Sequence, residues 1–349
     1  MRRPPLPRPA ILVAAALLAG TSGCVAHMPR SDEPTMLLER SYVGASTASG
    51  QSFEAAPALH VLLHNGLDDP DVFERGGWAS ALSASFLATL RVSRGDSAPV
   101  RTPTYEPHAK LQLFHLDPAG ARPAPSAPQP WMRMAVLELG GGHRSNGQRG
   151  CSLDEHVRRP GDGDWECAPA TDPPSTALNL DDGSFTTNFV AGGAYLRLLR
   201  TGDQPGAFTS ALTVGGGLEY EVACGLGACM PQGMRRRFGP VNARYLAEWE
   251  ALVLRGRTRR VPLLGTVHLD SSLRATLSGN VHLGAARGPF GDLSAEVAIL
   301  PRNPKGMVMG LFVRRHVGYD YLNIRFEERL DAWLFGLVLD PTPLDGARR

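Results

Sequence analysis

A formal net charge of +2 spread over 349 residues gives no basic field for a nucleic-acid partner. With 39 Gly, 29 Pro and only 20% charged residues, the composition suits a chain of many strands and turns. Beyond Gly20 no stretch approaches the roughly 18 apolar residues of a membrane-spanning helix, so only a closed β-barrel could take this chain across a bilayer.

Residues 1–24 read as a signal peptide: Arg2, Arg3 and Arg8, an apolar run Ala10–Gly20, then Thr21-Ser22-Gly23-Cys24. Small residues before Cys24 resemble a lipoprotein cleavage site, with ordinary cleavage after Ala26 as the alternative. Either way the mature protein is exported. Residues 25–36 read as a solvated leader, 37–341 as one β-domain and 342–349 as a C-terminal tail. Export places Cys151, Cys167, Cys224 and Cys229 in an oxidising compartment. Cys151–Cys167 and Cys224–Cys229 are the local pairings, and two other connectivities stay open.

Strand candidates follow in order. Met36–Ala45, Ala58–Asn65 and Trp78–Val92 come first, then a polar loop to Pro103. A strand opening at Thr104-Tyr105-Glu106-Pro107 runs to about His115, and Asp117–Pro130 makes a turn. The next strand ends in Leu137-Glu138-Leu139-Gly140-Gly141-Gly142-His143-Arg144-Ser145-Asn146-Gly147. Side chains alternate along a strand, so His143 and Ser145 share a face with Leu137 and Leu139, while Arg144 and Glu138 point the other way. Gln148–Gly183 lacks apolar periodicity and reads as a long loop.

Asn188, Val190, Gly192, Ala194, Leu196 and Leu198 then oppose Tyr195 and Arg197. Leu212, Val214, Leu218 and Tyr220 oppose Thr213, Glu219 and Glu221. In the following strand Ala243, Tyr245, Ala247 and Trp249 oppose Asn242, Arg244, Glu248 and Glu250. Arg260–Leu283 is counted as one long strand. Leu293, Ala295, Val297 and Ile299 oppose Asp292, Ser294 and Glu296, and the last strand sets Leu330, Ala332, Leu334 and Val338 against Arg329 and Asp331. The expectation is an all-β, twelve-stranded antiparallel transmembrane β-barrel, apolar faces outward and charged faces pairing in the lumen. A soluble sandwich, which alternates in the same way, is the alternative. Arg235-Arg236-Arg237 reads as a loop meeting anionic lipopolysaccharide, and Gly140–Gly142 and Gly215–Gly217 as relief of crowding within a sheet.

A serine hydroxyl becomes a useful nucleophile when a neighbouring base takes its proton and a third group fixes that base. Ser145 and His143 supply the first two. Asn188, on the same apolar face of the next strand, could hydrogen-bond the far nitrogen of His143. Three polar groups on a lipid-facing surface are costly without a purpose.

His143-Arg144-Ser145-Asn146-Gly147, with Ser184 and Asn188 four residues apart, resembles bacterial outer membrane phospholipase A. Thr104-Tyr105-Glu106-Pro107 resembles that family's N-Y-E-P strand start, and Gly318-Tyr319-Asp320-Tyr321-Leu322-Asn323 its last hairpin. The similarity spans roughly Trp78 to Asp340. It implies a Gram-negative outer-membrane enzyme hydrolysing acyl esters of membrane phospholipids, its site on the lipid-facing wall toward the outer leaflet. Ser145 would be nucleophile, His143 general base and Asn188 its orienting residue. The resemblance also implies Ca²⁺, held through the Gln148 carbonyl and the Ser184 hydroxyl, and activation as a homodimer. The Gln148–Gly183 segment is longer than the family's connection. Two other readings stand beside it: a lipid A deacylase-like esterase using Asp181 or Asp182 in place of Asn188, and a structural or porin-like barrel.

Overall fold

The computed structural model describes residues 37–48, 50–68, 72, 75–93, 100–117, 131–153, 156–158, 167–169, 177–201, 208–222, 224–225, 228–254, 258–261, 265–268, 271–301 and 308–341. The signal peptide, the leader, the tail and most of the Asp117–Pro130 turn lie outside the described residues. In chain order the strands are β1 (Ser41–Ser46), β2 (Gln51–Ala56), β3 (Ala58–Asn65), β4 (Gly77–Ser93), β5 (Val100–Asp117), β6 (Trp131–Ser145), β7 (His156–Arg158), β8 (Cys167–Pro169), β9 (Thr186–Thr201), β10 (Phe208–Val222), β11 (Cys224–Gly225) and β12 (Ala228–Cys229). A short helix α1 (Gln232–Phe238) precedes β13 (Val241–Leu254), β14 (Thr258–Val261), β15 (Gly265–His268), β16 (Ser271–Leu283), β17 (Phe290–Pro301), β18 (Val308–Tyr319) and β19 (Arg329–Asp340). No helix among the described residues is long and apolar enough to cross a membrane.

Thirteen of these segments form one antiparallel sheet that closes through β1, β2 and β4. β2 and β3 are successive parts of one strand along β4, from Gln51 opposite Ser93 to Asn65 opposite Ala81. They are divided at Pro57, which has no N–H to give to a ladder. The result is a closed twelve-stranded barrel. Closure pairs the edge strands with each other, the condition for placing a sheet in hydrocarbon.

Three expectations need correction. Arg260–Leu283 is not one strand: β14 and β15 pair with each other in a separate two-stranded sheet, and only β16 enters the wall. The barrel count stays at twelve because that pair begins and ends on the same rim. In β19 the faces are inverted, with Leu330, Ala332, Leu334 and Val338 buried inside while Trp333 and Phe335 face outward beside Arg329 and Asp331. Arg235-Arg236-Arg237 lies in α1, not in a loop. There Arg235 donates to the Tyr220 hydroxyl at 2.8 Å and Arg237 pairs with Glu327.

The outer wall is apolar. On β6, Leu137 and Leu139 are 51% and 64% exposed, whereas Met134 and Val136 are 0% and 1% exposed. Leu196, Val214, Leu218, Val297, Ile299 and Leu311 continue this surface around the barrel. Trp78 and Trp131 are exposed toward one rim, Tyr220 and Trp333 toward the other, where a bilayer's aromatic girdles lie.

The lumen is filled. At the rim farthest from Ser145, Phe114, Leu116, Met132, Met134, Leu199 and Phe208 form an apolar cluster joined by Leu38 and Leu67. Ala298, Leu300, Val308, Phe312, Leu334 and Val338 form a second. Charges also pair inside the barrel: Arg40 with Glu248 at 2.7 Å and Asp340 at 3.0 Å, Lys110 with Glu39 at 2.5 Å, and, between neighbouring strands, Arg91 with Glu54 at 2.7 Å and Arg314 with Glu296 at 2.7 Å. Residues 37–40 contribute Leu38, Glu39 and Arg40 to this filling from within. At the Ser145 rim, Phe185, Met230, Ile324 and Phe326 join Met234 and Phe238 of α1 in an apolar cap.

Candidate active site

The strand that carries His143 and Ser145 is anchored from its inner face. Arg144 turns into the lumen and donates to Glu106 at 2.7 Å, Glu219 at 3.0 Å and Glu221 at 3.2 Å, with its guanidinium 4.9 Å from the Phe189 ring centroid. One arginine thereby ties β5, β6 and β10 together. Gly142 makes room for this arrangement. A Cβ there would lie 2.5 Å from the Pro107 carbonyl oxygen and 2.9 Å from the Phe189 ring.

Alternation then turns the neighbours outward. His143 is registered directly opposite Asn188 on β9, and His143 Nδ1 lies 2.9 Å from Asn188 Oδ1. Asn188 Nδ2 donates in turn to the Gly225 carbonyl on β11, so Oδ1 is the end presented to the imidazole. That makes Nδ1–H the donor and leaves Nε2 as the basic nitrogen. Asn188 is buried although it belongs to the outward face, because the β11–β12 hairpin covers it. Asp182, the alternative third residue, accepts from Asn179 Nδ2 at 2.6 Å, and Asp181 is exposed; His143 bonds to Asn188 instead.

His143 and Ser145 open into a cavity of about 420 Å³, which Gln148 and Ser184 also line. No hydrogen bond joins Ser145 to His143 among the described residues; such bonds commonly form only when substrate is present. Leu153, Phe185, Met230 and Met234 give the cavity an apolar wall, and among the described residues Arg149 is the one charged side chain that lines it. Gly150 and Gly183 bridge next to Gln148 and Ser184, with Ser184 N–H donating to the Gly150 carbonyl at 2.8 Å. The long connection is stapled by the Cys151–Cys167 disulfide, Cα atoms 5.7 Å apart. Cys224 is also disulfide-bonded, and Cys229 is the residue registered opposite it.

The donors offered to a cation are neutral oxygens. No carboxylate lines the cavity, and no cluster of three His, Cys, Asp or Glu suited to a metal occurs among the described residues. A carbonyl and a hydroxyl fit a hard cation and supply only a fraction of the six to eight oxygens that Ca²⁺ takes.

Asn146, between the serine and Gly147, holds the turn. Its Oδ1 accepts from Gln148 N–H at 3.1 Å and Phe185 N–H at 3.0 Å, and its Nδ2 donates to the Gly183 carbonyl at 2.7 Å. Gly147 follows at φ +67°, a left-handed conformation that glycine adopts without strain. Asn146→Ala leaves the buried Phe185 N–H, the half-buried Gln148 N–H and the Gly183 carbonyl without this partner. It is expected to lower stability by about 2–4 kcal/mol, read as an earlier unfolding midpoint in detergent. Residue-by-residue reading of the sequence did not mark Asn146 or Gly225 as functional. Asn146 was in view inside the motif; Gly225 had only its neighbouring cysteine as a signal.

The closed wall, the apolar outer band and the paired lumen define a transmembrane β-barrel of the outer-membrane type. Comparison with family models and with curated proteins finds no match. Among solved structures, an active-site mutant of outer membrane phospholipase A from Escherichia coli is 16% identical with a TM-score of 0.44, covering 90% of this chain and 94% of that one. The Salmonella typhi outer membrane phospholipase dimer with bound calcium is 16% identical with a TM-score of 0.43, covering 89% and 95%. The beta domain of the Bordetella autotransporter BrkA is 10% identical with a TM-score of 0.36, covering 86% and 96%. The likeness is one of barrel to barrel.

Proposed function

We propose that this chain is an outer-membrane acyl-ester hydrolase acting on glycerophospholipids, with Ser145 as nucleophile, His143 as general base and Asn188 as the residue that orients it. The observation that carries the reading is the 2.9 Å bond between His143 and Asn188 on the bilayer-facing wall, beside Ser145 in one cavity. Polar groups set in an apolar outer face at a shared height are where an ester embedded in lipid would meet them.

Ser145 Oγ attacks the ester carbonyl carbon while His143 Nε2 takes its proton. Asn188 holds the imidazolium through Nδ1–H. The tetrahedral adduct collapses as the C–O bond to the glycerol oxygen breaks, and His143 returns its proton to that oxygen. Water then attacks the acyl-serine, His143 again taking a proton, and fatty acid leaves as Ser145 is regenerated. Gln148 and Ser184 would hold Ca²⁺ through a carbonyl and a hydroxyl, and the ion would supply positive charge for the developing oxyanion. The remaining oxygens would come from water or from a second copy, and a homodimer meeting along this outer face would be the active form.

The longest connection, 146–185, leaves the Ser145 rim, and longer loops are the external ones in barrels of this class. The site then faces the outer leaflet of a Gram-negative outer membrane. Detergent-solubilised protein on phosphatidylethanolamine is expected to release fatty acid in Ca²⁺ and not in chelator, and Ser145→Ala to abolish that release. Equal release by wild type and Ser145→Ala would remove the serine from the chemistry.

A further inference from the structure

A carboxamide has two nearly isosteric ends, and only one of them serves His143. With Oδ1 toward the imidazole, Nδ1 carries the proton and Nε2 is free to act as base. With the amide turned over, Nδ2 would donate to Nδ1, the ring proton would move to Nε2, and the base would be lost. Something must choose between the two, and His143 cannot, because either tautomer satisfies it.

The choice is made from the other side. Asn188 Nδ2 donates to the Gly225 carbonyl, and a backbone carbonyl can only accept. A hydrogen bond there permits a single orientation of the amide. Asn188 is 8% exposed, so water has little access to replace this partner. Gly225 does not belong to the barrel wall. It sits in the β11–β12 hairpin, whose two strands have two residues each, a ladder too short to hold itself in water. The adjoining Cys224 is disulfide-bonded, and Cys229 is registered opposite it.

Resting on the serine hydrolase reading above, we infer that the β11–β12 hairpin is a positioning element for the triad: its cystine fixes the Gly225 carbonyl, the carbonyl fixes the orientation of the Asn188 amide, and the amide fixes the tautomer of His143. The exported enzyme thereby couples its general base to the oxidation state of Cys224. Loss of the disulfide leaves the barrel and the cavity in place and lets the amide turn.

The test uses an acceptor that cannot be turned the wrong way. Asn188→Asp offers His143 an oxygen in either orientation, but against an intact hairpin it sets a carboxylate oxygen on the Gly225 carbonyl. Four full-length proteins are compared in mixed micelles of phosphatidylethanolamine: wild type, Asn188→Asp, Cys224→Ser with Cys229→Ser, and all three changes together. Opening the hairpin is expected to lower kcat roughly tenfold, about the effect of one misplaced hydrogen bond, with KM within about twofold. Asn188→Asp is expected to lower kcat in the closed hairpin and to raise it in the open one. A merely structural hairpin would give the same factor for Asn188→Asp in both backgrounds, and that result, or full kcat in the opened hairpin, overturns the inference. Should the serine variants fail to fold, the same comparison is made in folded Cys151→Ser, Cys167→Ser protein before and after dithiothreitol, where activity must fall on reduction and return on reoxidation. The hydrolase reading fails separately, if Ser145→Ala matches wild type in these assays.

Discussion

Ser145→Ala, His143→Ala and the two together are expected to lower kcat on micellar phospholipid by the same large factor, about 10⁴–10⁶. The groups act as one unit: without the base the hydroxyl keeps its proton, and without the hydroxyl the base has nothing to activate. Removing the second after the first therefore costs almost nothing. Asn188→Ala belongs to a different order. It removes one neutral hydrogen bond to Nδ1 and leaves the Gly225 carbonyl unpaired, an effect of about 1–3 kcal/mol, or about 5–150-fold. A pH-stat titration of released fatty acid measures all four variants on one scale. Multiplying losses in the double variant would separate His143 from Ser145 and end their assignment to one mechanism. An Asn188→Ala loss as large as that of Ser145→Ala would give Asn188 more than an orienting role.

Alternation made much of the wall legible, and it failed where its physical premise failed. Along β6, β9, β10, β13 and β17 the outer side is the more apolar one because the lumen face opposite it carries Glu138, Arg197, Glu219, Glu248 or Glu296 among its apolar residues, and in this register His143 stands opposite Asn188. Along β19 the premise breaks, since that part of the lumen is itself apolar, and Leu334 and Val338 fill it beside Phe312. An apolar face cannot tell lipid from an apolar lumen. Trp333 and Phe335, on the face with Arg329 and Asp331, were the better guide, because large aromatic side chains belong at the bilayer surface. β2 escaped notice because Gln51–Ala56 is short and Pro57 separates it from β3. For the candidate site, the cross-strand register of His143 and Asn188 follows from strand order, which sequence supplies. The Gly225 carbonyl reaches Asn188 from a loop, and no periodicity encodes a loop's return path. The Cys151–Cys167 bridge was legible because its short separation lies within one connection.

Arg144→Met is expected to destabilise the barrel by about 3–5 kcal/mol, the range for removing one partner from a buried ion pair. The guanidinium serves three carboxylates, two of them on β10, with Glu219 and Glu221 side chains 0% and 1% exposed. Methionine nearly matches the arginine stem in volume, so little of the loss is cavity; what remains is buried negative charge without its counter-ion. Thr187 Oγ1 donates to Glu221 at 2.8 Å and Arg244 lies 3.4 Å from Glu219, which softens the loss without removing it. Arg144→Lys keeps the charge but cannot reach three acceptors with one ammonium, and falls between the two. The decisive variant adds Glu219→Gln and Glu221→Gln to Arg144→Met. Neutral amides tolerate the missing cation, so most of the stability is expected to return, measured by the unfolding midpoint in detergent. No recovery would mean that Arg144 acts through its stacking on Phe189, not through charge. Because Arg144 stands between His143 and Ser145 on one strand, a loosened β6 should also lower hydrolysis, and the triple variant should regain activity in step with its midpoint.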